Sequence, residues 1–145
     1  MRLSFVVDAS VAVKWFVREE HSDEARELAE SGAQLIAPRF ICLEVAGALA
    51  KKARRKLIQL SHLEDYLSAL PTFFDELIDD EDLVRSAISL AVELDHPLYD
   101  CLYIEAAKRR QAIAVTSDLR LLGKVKLGRY RNEVIALSDW KAALA

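Results

Sequence analysis

At 145 residues, 52% hydrophobic and 30% charged, the chain is long enough to bury a core without staples and too apolar for wholesale disorder. A net charge of −3 excludes a polycation, so any nucleic-acid contact must come from local basic patches and bound cations. Two cysteines, Cys42 and Cys101, make no disulfide framework and no zinc spacing, and no run approaches the roughly 18 apolar residues of a membrane span.

Residues 3–7 form a short apolar run closed by Asp8, the pattern of a buried strand. Residues 10–17 stay apolar at helical spacing, and residues 22–31 predict an amphipathic helix ending at Gly32. A second strand, residues 35–37, is halted by Pro38. The next helix runs from Arg39 to about Arg55 and ends in the basic run KKARRK. Ser61 with Glu64 three residues on has the spacing of a capping box. After Pro71 comes an acid-rich segment, residues 79–82, and then a helix over residues 83–94. Pro97 suits the first turn of a helix over residues 98–110. A strand at 112–116, a helical turn at 119–122, a strand at 133–137 and a closing helix at 138–144 complete the chain.

Strands alternating with helices, too far apart for hairpins, predict an α/β layered fold with a mainly parallel sheet. With no repeat, linker or low-complexity tract, residues 1–145 read as one domain, and the lack of a signal or membrane segment reads as cytoplasmic.

Four acids lie in apolar surroundings: Asp8 in SFVVDASVAV, Glu44 in FICLEVAGAL, Asp100 in PLYDCLYI and Asp118 in AVTSDLRLL. Burying a carboxylate is costly unless it is paired or bound to a metal. Asp8 ends the first strand and Asp118 follows another, where open parallel sheets bind ligands. Glu44 and Asp100 stand in early turns of helices able to cross that edge. Taken singly, each has an ordinary use, such as a strand-end turn or a cap, with Ser10 a further candidate cap. Together they predict one acidic pocket. No buried Arg or Lys is obvious nearby, so hard divalent cations such as Mg²⁺ or Mn²⁺ are the natural counter-charge, with phosphodiester hydrolysis the corresponding chemistry.

VVDASVAVKWF, APRFICLEVAGALAKKAR, PLYDCLYIEAAKRR and VTSDLRLL, in this order, resemble a PIN-domain protein, specifically the VapC toxins of toxin–antitoxin pairs. The resemblance covers nearly the whole chain. It implies a three-layer α/β/α fold with a central parallel sheet, and a Mg²⁺- or Mn²⁺-dependent endoribonuclease. Asp8 and Asp100 would be the principal metal ligands. Glu44 would complete the site or position the attacking water, and Asp118 would hold a second metal or act through water. Ser10 and Thr116 match hydroxyl-bearing positions that line such sites. The resemblance also implies a homodimer and a small antitoxin that obstructs the site.

Leu57, Leu60, Leu63, Leu67 and Leu70, with Phe73 and Phe74, offer apolar surface for a partner or simply core. Lys51, Lys52, Arg54 and Arg55 could contact RNA phosphates, or could only complement a helix C-terminus; the same choice holds for Lys108, Arg109 and Arg110. Two rivals stand beside the ribonuclease: a non-catalytic PIN-like binding module, and a phosphatase with Asp8 as nucleophile. The second usually wants another Asp where this chain has Ser10.

Overall fold

The structure, a computed structural model, describes residues 2–126 and 128–144. Five short strands carry the sheet: β1 (Ser4–Val7), β2 (Gln34–Pro38), β3 (Glu76–Ile78), β4 (Ile113–Thr116) and β5 (Val134–Ala136). Their order is β3-β2-β1-β4-β5, and every neighbouring pair is parallel. Val6 lies between Ile36 and Ala114 in register, so the most apolar strand is also the central one. Phe5, Val6 and Val7 are fully buried, as expected of a parallel sheet covered on both faces.

The helices are α1 (Ala9–Ala12), α2 (Ser22–Glu30), α3 (Ile41–Arg54), α4 (Leu63–Ala69), α5 (Asp80–Leu94), α6 (Leu98–Arg110) and α7 (Leu119–Val125). They flank the sheet, giving the α/β/α layering that the sequence predicts. Along α3, Ile41, Val45 and Leu49 recur every fourth residue and are fully buried. Over its middle, α6 is buried on every side, from Cys101 to Ala107, because it packs on α5 and across β1, β2 and β4. A tight 3-10 turn, Val13–Trp15, follows α1, and the Trp15 ring stacks on Phe73 at 4.4 Å. Among the described residues no helix is long and apolar enough to cross a membrane.

Several expectations change. The segment before the acid-rich run holds an edge strand, β3, that the sequence pattern does not reveal. Its three residues are too few to show alternation. It is held by Arg110, which pairs with both Glu76 oxygens at 2.7 and 2.8 Å. Ser61 is not a capping residue: it sits inside a 3-10 turn, Leu60–His62, and α4 begins at Leu63 without a side-chain cap. Residues 138–144, expected as a closing helix, form a 3-10 stretch together with Leu137. Leu70, Phe73 and Phe74 belong to the core region, whereas Leu57 and Leu60 are exposed.

The chain steps outward from β1 through β2 to β3, then returns to add β4 and β5 on the other side of β1. That reversal places a crevice at the carboxyl ends of β1 and β4, the position where such sheets accept ligands.

Candidate active site

Asp8 is the first residue beyond β1, and its backbone N–H still bonds to Val115 of β4 at 3.1 Å. Its carbonyl starts α1 by accepting from Val11 and Ala12, so the carboxylate is fixed at the crevice floor. Two hydroxyls hold it there. Thr116 donates to Oδ2 at 2.5 Å, and Ser10 donates to the same oxygen at 3.0 Å. Ser10 in turn accepts from the Ser117 N–H at 2.9 Å, and Thr116 accepts from the Asp118 N–H at 3.0 Å. The turns after β1 and β4 are thereby locked together through Asp8.

Asp118 caps α7: its Oδ1 accepts from the N–H groups of Arg120 and Leu121 at 2.9 and 3.3 Å. This local role, foreseen as an alternative to a site role, leaves Oδ2 unengaged among the described residues. Asp100 lies in the first turn of α6 and meets His96 Nε2 through Oδ2 at 2.7 Å. Glu44, in the first turn of α3, accepts a 2.5 Å hydrogen bond on Oε1 from the Tyr103 hydroxyl of α6. Only Asp8 of the four acids is buried; the other three are partly open to the crevice.

The four carboxylates feel one another. Burial, reinforced by the Asp100 charge, pushes Asp8 up to about 6 despite its hydroxyl partners. Burial likewise raises Glu44 to about 7, with the charges of Asp8, Asp100 and Asp118 adding to it and Tyr103 opposing. Tyr103 is itself driven well above its ordinary value by burial and by the charges of Asp8 and Glu44. Asp8 and Glu44, held this close to neutrality beside the carboxylates of Asp100 and Asp118, make an oxygen donor set that suits a hard divalent cation.

His96 is a candidate site residue that sequence reasoning missed. One ligand atom each from His96, Asp100 and Asp118 lie within 4.8 Å of one another. Asp100 is thus in ligand reach of Asp118 and His96, and its charge also acts on Asp8, the ligand with which the family resemblance pairs it. The available signal is the four-residue spacing from His96 to Asp100 across Pro97, the residue that opens α6. His96 is buried and hydrogen-bonded to the carboxylate, so its plainest role is to orient Asp100.

The expectation that no buried cation lies near the acids is overturned by Lys14, which is buried and lines a cleft of about 390 Å³ together with Ser10 and Glu44. In the sequence it reads only as a break in an apolar run. Along α3, Ala48, Lys51, Lys52 and Arg55 continue the face that carries Glu44, with Arg54 to one side. The basic end of α6 is engaged internally: Lys108 pairs with Glu105 at 3.0 Å, Arg109 reaches Ser86, and Arg110 holds Glu76.

Residues 5–126 match the PIN domain family. The chain is 29% identical over 124 residues to Ribonuclease VapC3 of Pyrobaculum aerophilum, covering 84% of this chain and 95% of that protein. Its fold is similar to the crystal structure of PAE2754 from Pyrobaculum aerophilum, with a TM-score of 0.72 at 23% identity over 99% of this chain and 96% of the other. It is also similar to a chain of a toxin–antitoxin complex from Klebsiella pneumoniae, with a TM-score of 0.65 at 16% identity, covering 91% of this chain and 96% of that one.

Proposed function

This chain belongs to the PIN domain family, and on that premise we propose that it is a Mg²⁺- or Mn²⁺-dependent endoribonuclease, the toxin of a type II toxin–antitoxin pair. The observation that carries the reading is the convergence of Asp8, Glu44, Asp100 and Asp118 at the β1/β4 crevice, where burial and mutual repulsion raise Asp8 and Glu44 toward neutrality. The name of the Pyrobaculum ribonuclease relative supports RNA as the substrate class. The toxin–antitoxin complex among structures of the same fold supports an antitoxin partner, and the reading includes a homodimer.

In this reading Asp8, Asp100 and Asp118 would hold the cation, with Glu44 beside it. When bound, such a cation would supply Lewis acidity toward water and the phosphoryl oxygen. The remaining work belongs to the chain. Thr116 and Ser10 fix Asp8 Oδ2, and His96 holds Asp100 Oδ2. Tyr103 fixes Glu44 Oε1, leaving Oε2 to take a proton from the attacking water. Against the phosphatase alternative stands Ser10, which occupies the place of the second Asp that such chemistry wants and is engaged in holding Asp8 Oδ2.

The test is cleavage of RNA by the purified protein with Mg²⁺ or Mn²⁺ and its arrest by chelator. Asp100→Asn should abolish cutting while the far-ultraviolet circular dichroism stays that of the wild type. Undiminished cleavage by a folded Asp100→Asn protein would sink the assignment.

A further inference from the structure

Lys14 is a buried charge to which the proposed chemistry gives no role. It stands in the 3-10 turn after α1, its side chain is 9% exposed, and its ammonium donates to Glu19 Oε1 at 3.1 Å. From α3, Lys52 reaches the other oxygen, Oε2, at 3.0 Å. One carboxylate is therefore gripped by two ammonium groups from two separate elements, one on each oxygen. The Glu19 backbone is pinned behind it: its N–H donates to Ser22 Oγ at 2.9 Å, and its carbonyl accepts from the Ser22 N–H at 3.2 Å. Its side chain remains 30% exposed.

As a purely structural device this is wasteful. A single lysine would balance Glu19, yet the buried Lys14 and the partly exposed Lys52 both converge on it. All three residues line the cleft of about 390 Å³ that also holds Ser10, Glu44 and Ser117. The Ser117 hydroxyl is buried there and has no hydrogen-bond partner among the described residues. The cleft is thus continuous with the acid site yet carries the opposite charge at its far side, with a spare hydroxyl in the same lining.

We infer that Lys14 and Lys52 form the seat for a backbone phosphate of single-stranded RNA beside the bond to be cut, and that Glu19 occupies this seat when no RNA is bound. The inference rests on the ribonuclease reading and deepens it. Two non-bridging phosphate oxygens present the same pair of acceptors as the Glu19 carboxylate. Lysine binds phosphate as a point charge, so the seat positions any sequence without reading bases. When RNA enters, the Glu19 side chain turns out to solvent about its anchored backbone, and the lysines pass from one anion to the other. Four carboxylates alone would repel an RNA strand; the seat gives the strand a cationic hold beside them.

The experiment is single-turnover cleavage of a labelled pool of random-sequence single-stranded RNA by excess full-length protein in Mn²⁺. The half-saturating protein concentration is read at several salt concentrations. Lys52→Met should raise it several-fold and flatten its logarithmic salt dependence by about 0.7, the single-strand value for one lost phosphate contact. Lys14→Met should do the same. Glu19→Gln should lower the half-saturating concentration, because the competing anion is gone. Since Lys14 is buried and its variant risks misfolding, Lys52→Met and Glu19→Gln are the deciding variants. If the wild type cuts the pool while Lys52→Met shows unchanged half-saturation and salt dependence, or Glu19→Gln binds no tighter, the seat is refuted and the nuclease reading survives. If the wild type cuts no RNA, the nuclease reading fails and the seat falls with it.

Discussion

Asp8→Asn should stabilise the metal-free protein at neutral pH while destroying its response to divalent cations. The carboxyl ionises near 3.8 when unfolded and at about 6 when folded, because it is buried and faces Asp100. Between those values the native state holds a proton that the unfolded state has released. Stability contributed by this group is therefore fully present below about 3.8 and is lost as pH rises through 6. At about 1.4 kcal/mol per tenfold change, the loss approaches 3 kcal/mol above pH 7, and water penetration makes about 2 kcal/mol the realistic figure. Asn mimics the neutral form and keeps an oxygen for Thr116 and Ser10. In chelator at pH 8 the variant should gain about 2 kcal/mol, roughly 4–8 °C in Tm for a chain of this size. Near pH 4 the two proteins should converge. Adding Mg²⁺ should raise the wild-type Tm by mass action and move the variant much less. Urea denaturation across pH in chelator gives the difference directly. A variant less stable than wild type at pH 8, or a difference independent of pH, would refute the electrostatic account of the pocket.

Two further outcomes follow from the partners of the acids. Tyr103→Phe removes the donor to Glu44 Oε1, which favours the charged carboxylate, so the Glu44 pKa should rise further and the acid limb of the pH–rate profile should move to higher pH. An unmoved limb would show that Glu44 is not the titrating group. His96→Ala should weaken Mn²⁺ affinity, read by calorimetric titration, by roughly 10- to 100-fold, as loss of a residue that orients a ligand does. Unchanged affinity would remove His96 from the site.

The four acids and all the strands but β3 are legible in the sequence because both are local signals: short apolar runs, and acids set in apolar surroundings close to the ligand-binding edge. What stays hidden lies in long-range pairing. Tyr103 meets Glu44 across 59 positions, and nothing in YIEAA announces it. Lys14 reads as an interruption until Glu19 and Lys52 are brought against it. His96 precedes its helix rather than lying in it, so Pro97 masks its alignment with Asp100. Glu105 shows the limit of apolar context as a criterion. It is as embedded in apolar sequence as Glu44 and more deeply buried, yet Lys108 satisfies it at 3.0 Å from the next turn. Apolar context alone marks a paired acid as readily as a site acid. Position at the carboxyl edge of the sheet is what separates them.

That distinction sharpens what each of the four acids is for. Asp118 caps α7, Asp8 launches α1, and Asp100 stands in the first turn of α6 opposite His96, so all three have local work that fixes them in place. Glu44 has none: its hydrogen bond among the described residues comes from Tyr103 alone, and it faces three other carboxylates. A residue with so little structural justification is the cleanest probe of function. Glu44→Gln keeps the shape and an oxygen for Tyr103 but cannot take up a proton. It should leave the metal-free protein as stable as wild type or more so at pH 8. RNA cleavage in Mn²⁺ should fall by roughly 10²- to 10⁴-fold, the range for loss of a general base. Urea denaturation and single-turnover cleavage on the same preparation separate the two effects. Cleavage within a few-fold of wild type would mean that Glu44 only shapes the crevice, and that the proton leaves the attacking water by another route.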